Sequence, residues 1–364
     1  YHYNITTIFY FIMTKSIPNT NNKTKKANNK TNTNNKTNTN NKTKKATHNK
    51  TKKDRKWTDT SYPYRIISKQ QAIDEFLKLK QMAQGDINPK SIMGNRTVDW
   101  GTEKMRKKTK YRNHAPVDLW NNKKKRAKLL KFAKQLASEG KIPVEQSVRK
   151  AIDLQWGTVN TMRPASAVQM YKKYNATAVL DFTAGWGSRM VAAMALDIDY
   201  IGIDSNKSLK PGYEKIINLL KPYTKSNVTM VWKESQTVDI SKLPKYDYVF
   251  TSPPYEYLEV YEHMSNYENK SAQIRQPSSS QNIKLDDSAK FYDEFIVPTL
   301  KSAYKHLPKN RYMCINMPDM MYEKIKKRWK PSTINEEYKL VKRPGSNWKI
   351  TQRRGKELIY CWKK

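Results

Sequence analysis

Val179-Leu180-Asp181-Phe182-Thr183-Ala184-Gly185-Trp186-Gly187-Ser188-Arg189-Met190 is the stretch that decides how this chain folds. It begins inside an apolar strand (TAVLDF, 177–182), passes through a turn with glycine at 185 and 187, and opens a helix over Ser188–Leu196. Glycine lets the backbone approach a ligand where a Cβ would obstruct it. The helix N-terminus presents amide N–H groups that have no partner within the helix. A turn that receives a dinucleotide pyrophosphate carries a third glycine. Met190 stands in that place here, which counts against NAD and leaves room for a ligand without phosphates. The following strand, YIGID (200–204), ends on Asp204, an acidic side chain placed to accept hydrogen bonds from both hydroxyls of a ribose.

Working outward, strands and helices alternate. Further apolar runs are VTMVW (228–232), YDYVFT (246–251), RYMCINM (311–317), EEYKLVKR (336–343) and ELIYCWKK (357–364). Helical stretches fall at 209–220, in a short span near 235–243, and at 288–306, with Pro211 tolerated in the first turn of its helix. Strands alternating with helices predict a parallel sheet covered on both faces. The last two strands are separated only by PGSNWKITQRRG, so they should pair antiparallel.

The strand YDYVFT runs into Ser252-Pro253-Pro254-Tyr255. Two successive prolines fix φ near −65° and remove two N–H donors, which leaves a stiff, carbonyl-presenting loop. It sits at the end of a central parallel strand, where open α/β sheets bind ligands. Such a loop offers two acceptors, the Ser252 hydroxyl and the Pro253 carbonyl, to the two hydrogens of an amino group. Tyr255 adds a flat face for an extruded base.

These two segments resemble motifs of the S-adenosylmethionine-dependent methyltransferases that modify exocyclic amino groups of DNA bases. DFTAGWGS is similar to their cofactor motif D-P-F-x-G-x-G-T/S, matching at Asp181, Ala184, Gly185, Gly187 and Ser188, with Phe182 where the family often has proline and Thr183 where it has phenylalanine. Ser252-Pro253-Pro254-Tyr255 matches the catalytic motif [D/N/S/T]-P-P-[Y/F/W] in full, and Thr251 precedes it. The resemblance spans about Arg163 to Lys364. It implies a class I, Rossmann-like methyltransferase fold: a seven-stranded, mostly parallel sheet with an antiparallel C-terminal hairpin.

The cofactor implied is S-adenosyl-L-methionine, held by Arg163 and Pro164 ahead of the first strand, by Asp181, Phe182, Thr183, Gly185, Trp186 and Gly187 around the turn, and by Asp204 and Glu234 after the next strands. In that scheme Asp181 meets the cationic amino-acid end, Glu234 contacts the adenine amino group, and Trp186 supplies aromatic surface in place of the missing phenylalanine. Ser252, Pro253, Pro254 and Tyr255 are the implied catalytic residues, and no metal is required. Serine in the first motif position favours cytosine N4 over adenine N6 as acceptor. Two alternatives stay open: an RNA base methyltransferase, and a non-catalytic nucleic-acid-binding protein that retains the fold.

The 364 residues carry 70 Lys+Arg against 32 Asp+Glu, a formal charge of +38. This balance favours a polyanionic partner, DNA or RNA, and the resemblance implies DNA before RNA. No apolar stretch approaches the roughly 20 residues of a membrane span, so a membrane partner is not expected and an intracellular location is. Residues 1–12 (YHYNITTIFYFI) lack the basic start and cleavage site of a secretory signal, and Met13 is a candidate translation start. Residues 1–57, rich in Asn, Thr and Lys, have too little apolar content to order themselves and read as a disordered basic tail.

Residues 58–155 read as a basic helical region that contacts nucleic acid, ahead of a catalytic domain at 156–364. Ile73, Phe76, Leu77, Leu79 and Met82 can line one helix face, and Leu129, Leu130, Phe132, Ala133 and Leu136 another. Two basic clusters, 104–112 and 123–134, offer phosphate-tracking surfaces, and 140–153 has a weak helix-turn-helix pattern. The polar segment 256–286 reads as a substrate-contacting lid with Tyr257 and Arg275 as contacts. Cys314 and Cys361 read as buried, reduced thiols.

Overall fold

The computed structural model describes residues 60–111, 114–255, 259–260, 289–331, 336–339 and 357–364. The expected tail, the candidate start at Met13, and Tyr257 and Arg275 of the expected lid lie outside them. The sheet is built from β1 (Ala178–Asp181), β2 (Asp199–Ile203), β3 (Val228–Val231), β4 (Tyr248–Thr251), β5 (Tyr312–Pro318), β6 (Glu336–Lys339) and β7 (Glu357–Lys363). The spatial order is β3-β2-β1-β4-β5-β7-β6. Pairings from β3 to β5 are all parallel. β7 runs antiparallel between β5 and β6. Six strands make the body of the sheet, and the short β6 pairs along its outer edge. The fold is the α/β class expected, a mostly parallel sheet with the terminal strands antiparallel.

Central strands that are covered on both faces are apolar throughout rather than alternating. All of β4 is buried, as are Val179, Leu180 and Asp181 of β1. On one face lie α1 (Lys69–Gln84), α2 (Asn95–Lys108), α5 (Pro164–Lys173), α6 (Ser188–Ala195) and α7 (Lys210–Leu220). On the other lie a π-helical turn, Phe291–Ile296, and the α8 (Val297–His306) and α9 (Asp319–Arg328) helices. In sequence between α2 and α5, α3 (Lys123–Gly140) and α4 (Val144–Gln155) form a helical hairpin over a small core of Trp120, Leu129, Ala133, Val148, Ala151 and Ile152.

The region 58–155 differs from its reading as a separate unit. The chain from Lys56 to Lys364 is one compact unit. Ala72, Phe76, Leu79 and Val98 share a core with Val168, Met190, Val191 and Tyr213 of the sheet layer. α1 starts on a reciprocal cap in which Ser68 Oγ accepts from the Gln71 amide and the Gln71 side chain accepts from the Ser68 amide. Its inner face is Ala72, Ile73, Phe76, Leu79 and Ala83, whereas Leu77 and Met82 point outward at 40% and 36% exposure. Periodicity located an apolar stripe but overstated its width.

Antiparallel register sets Cys314 directly opposite Cys361 with Cα atoms 4.1 Å apart, and the two are joined as a disulfide. The reading of two free thiols was therefore wrong. It treated the strands singly, whereas the pairing that brings the sulfurs together is a property of the sheet. No described helix is long and apolar enough to cross a membrane.

Candidate active site

The glycine turn is pinned from several sides. Gly185 and Gly187 adopt φ of +60° and +88°, which a side chain would strain. A Cβ at Gly185 would sit in ordinary contact with the Thr183 carbonyl at 3.8 Å and Arg189 Nη2 at 3.9 Å, so the positive φ, not crowding, is what favours glycine there. The Ala184 amide donates to the Ile203 carbonyl at 2.9 Å, and the Gly185 amide donates to Asp204 Oδ2 at 2.7 Å. Asp204 Oδ1 accepts from the Asn206 amide at 2.9 Å. Each carboxylate oxygen thus keeps a lone pair for a ligand hydroxyl. Enclosure pushes the Asp204 carboxyl up to about 6, against the lowering effect of the Asn206 and Gly185 amides.

Asp181 does not face a ligand. It is wholly buried, and its oxygens accept from Arg189 Nε (2.6 Å), Arg189 Nη2 (3.2 Å), Tyr200 Oη (2.6 Å) and Thr251 Oγ1 (2.6 Å). The expected contact to a cationic amino-acid end is replaced by an internal ion pair with Arg189, a residue the motif comparison had passed over. Phe182 is likewise fully buried, in the core on the far side of the sheet, and Trp186 is 7% exposed within the near core. Neither side chain is open to a cofactor, so the lining of the turn is mainly backbone, with Thr183 and Gly185 half-exposed.

Glu234 lies past β3, half-buried, and accepts from Gln236 Nε2 at 2.8 Å. Arg163 caps α5, and its guanidinium donates to the Lys90 carbonyl at 2.7 Å. Pro164 packs near Gly94 and Leu79. The contact from this segment to the turn comes instead from Thr161, whose Oγ1 lies 2.7 Å from Ser188 Oγ, the first residue of α6.

At the end of β4, Thr251 Oγ1 bonds to Asp181 and accepts from the Thr183 amide at 3.2 Å, so the glycine turn and the Ser252–Tyr255 loop share one anchor. Pro253 is buried; Ser252, Pro254 and Tyr255 are half-buried. Asn316, 3% exposed on β5, donates from Nδ2 to Ser252 Oγ at 3.1 Å and to Tyr255 Oη at 2.7 Å. Ser252 Oγ and Tyr255 Oη are 3.2 Å apart. One buried amide therefore holds the first and last residues of the loop. Its signal in the sequence was a polar residue inside the apolar run RYMCINM. Among the described residues no cluster of His, Cys, Asp or Glu suits a metal ion.

The residues fit S-adenosylmethionine in part: a half-exposed glycine turn, the Asp204 carboxylate that could accept from a ribose, and an acidic side chain at Glu234 follow three adjacent strands at one sheet edge. Of the basic clusters, Arg106 pairs with Asp99 and Lys107 with Asp153, leaving Lys104, Lys108 and Lys110 exposed. Lys123, Lys124, Lys125, Lys128, Lys131 and Lys134 are all exposed on α3. In the hairpin, then, the lysine face belongs to its first helix and not to α4.

No protein-family model matches this chain, and no curated protein does. Among solved structures it is similar to TrmN from Thermus thermophilus (12% identity, 61% of this chain and 67% of that one, TM-score 0.37). It is also similar to TehB from Haemophilus influenzae (13% identity, 59% and 66%, TM-score 0.34). An rRNA methylase from Streptococcus thermophilus matches at 9% identity over 57% of this chain and 99% of that one, with a TM-score of 0.34. Likenesses this distant say nothing about substrate or cofactor.

Proposed function

We propose that this chain is an S-adenosylmethionine-dependent methyltransferase that modifies an exocyclic amino group of a DNA base, cytosine N4 in preference to adenine N6. The observation that carries the reading is the joint anchoring of the two loops. Thr251 ties the glycine turn to the strand that delivers Ser252-Pro253-Pro254-Tyr255, and Asn316 holds that loop closed from behind. A preformed loop beside a fixed turn is what direct transfer between two bound partners requires.

Bound S-adenosylmethionine would supply an electrophilic methyl group on a sulfonium centre. The acceptor amine loses conjugation with its ring when both its N–H groups are held. Ser252 Oγ takes one of them: when its own proton goes to Tyr255 Oη, one of the two directions open to that pair, and Asn316 occupies one lone pair, its second lone pair remains. The Pro253 carbonyl takes the other. Tyr255 presents a ring that is packed on the core along one side, the arrangement needed to stack a flipped base. The charge of +38 and the lysine face of α3 support a polynucleotide as the carrier of that base.

Loss of a base-stacking ring removes about 1–3 kcal/mol. Tyr255→Ala should therefore lower kcat/KM for the polynucleotide about 5- to 150-fold, while calorimetric affinity for S-adenosylmethionine stays within about two-fold of wild type. Weakened cofactor binding in this variant would mean that the loop has been assigned the wrong role.

A further inference from the structure

Five consecutive carbonyls of the glycine turn accept hydrogen bonds from side chains behind it. Phe182 O accepts from Ser235 Oγ, and Thr183 O from Arg189 Nη2. Tyr213 Oη lies 2.9 Å from both Ala184 O and Gly185 O, and Thr102 Oγ1 lies 3.1 Å from Trp186 O. A peptide unit is planar, so holding its carbonyl fixes the direction of the next N–H. Four of the five anchoring interactions come from the β1–α7 layer or the segment just after β3. The fifth comes from α2, 84 residues earlier in the chain.

We propose that Thr102 is a positioning residue for the cofactor turn, which makes α2 part of the cofactor site's support rather than of a separate nucleic-acid-binding region. Thr102 is fully buried, and its hydroxyl proton is shared between Trp186 O and Val98 O, the latter at 2.9 Å within its own helix. It can reach the turn because α2 and α7 meet at paired glycines. A Cβ at Gly101 would stand 2.7 Å from the Gly212 carbonyl, and one at Gly212 would stand 2.6 Å from the Gly101 carbonyl. The close crossing brings the Thr102 hydroxyl to Trp186, between the two left-handed glycines whose conformation shapes the turn. The proposal rests on reading that turn as the S-adenosylmethionine site.

The test compares Thr102→Ser with Thr102→Ala in the full chain, two variants that differ by a single oxygen. Both are assayed well below their melting temperatures. Titration calorimetry with S-adenosylmethionine should show Thr102→Ser close to wild type and Thr102→Ala weaker by about five-fold, the effect of one net hydrogen bond. In methyl-transfer assays the KM for S-adenosylmethionine should rise in Thr102→Ala, while kcat at saturating cofactor and the KM for DNA stay within about two-fold of wild type. Equal cofactor affinities in the two variants, with wild type binding normally, would overturn the role of Thr102 alone. A wild-type chain that binds no S-adenosylmethionine would overturn the reading of the site and this inference with it.

Discussion

At Asp204, one side chain closes the glycine turn and, under the proposed function, would also offer acceptors to a ribose. Its carboxyl is raised from 3.8 to about 6 by its enclosed position. The folded state therefore holds that proton more tightly than the unfolded chain, and the ionised group costs stability at neutral pH. A diol needs acceptors, so affinity for S-adenosylmethionine should be full above about pH 7 and fall as pH drops through about 6. Calorimetry between pH 5 and 8 checks this, and Asp204→Asn should bind weakly at every pH. Asp181 has a different role, as one half of a buried pair. Both it and Arg189 are buried in one ion pair. Arg189→Met leaves an uncompensated buried carboxylate and should cost about 3–5 kcal/mol in urea denaturation. A loss below about 1 kcal/mol would show that Tyr200 and Thr251 suffice to hold Asp181.

Among elements, the strands and the loops that follow them were legible because their signals are local. Glycines at 185 and 187, an aspartate closing the next strand, and Ser-Pro-Pro-Tyr after the fourth could each be read within a few residues. What packs behind them could not. Asp181 was matched to a motif as a ligand contact, yet its partners include Tyr200 and Thr251 on neighbouring strands. Asn316 reaches Ser252 across 64 positions, and only the parallel pairing of β4 with β5 brings them together. The crossing of α2 on α7 tests this level of the account. Gly→Ala inside a helix ordinarily stabilises by about 1 kcal/mol. At Gly101 the new Cβ would lie 2.5 Å from Ile216 and 2.7 Å from the Gly212 carbonyl, one of them backbone that cannot swing aside. Overpacking of that kind costs about 1–3 kcal/mol, so Gly101→Ala should lower the melting temperature instead of raising it.

Over the whole molecule, the boundary drawn near residue 156 from composition falls inside one compact unit. The reason is that basic outer faces dominate the sequence of α2 and α3, whereas the few apolar residues that decide packing, such as Phe76, Leu79 and Val98, are spread thinly along α1 and α2. A chain that starts at Trp156 would uncover Met190, Val191 and Tyr213 and should show no cooperative unfolding transition by circular dichroism. An unchanged melting temperature would restore the two-domain reading.

The central claim concerns chemistry, and one measurement reaches it directly. The full chain is incubated with S-adenosylmethionine carrying a labelled methyl group and with DNA or RNA in parallel, after which each polymer is digested to nucleosides for mass spectrometry. The account predicts label in DNA on an exocyclic nitrogen, as N4-methylcytosine before N6-methyladenine. Label on a ring carbon, or in no nucleoside of either polymer, would contradict it.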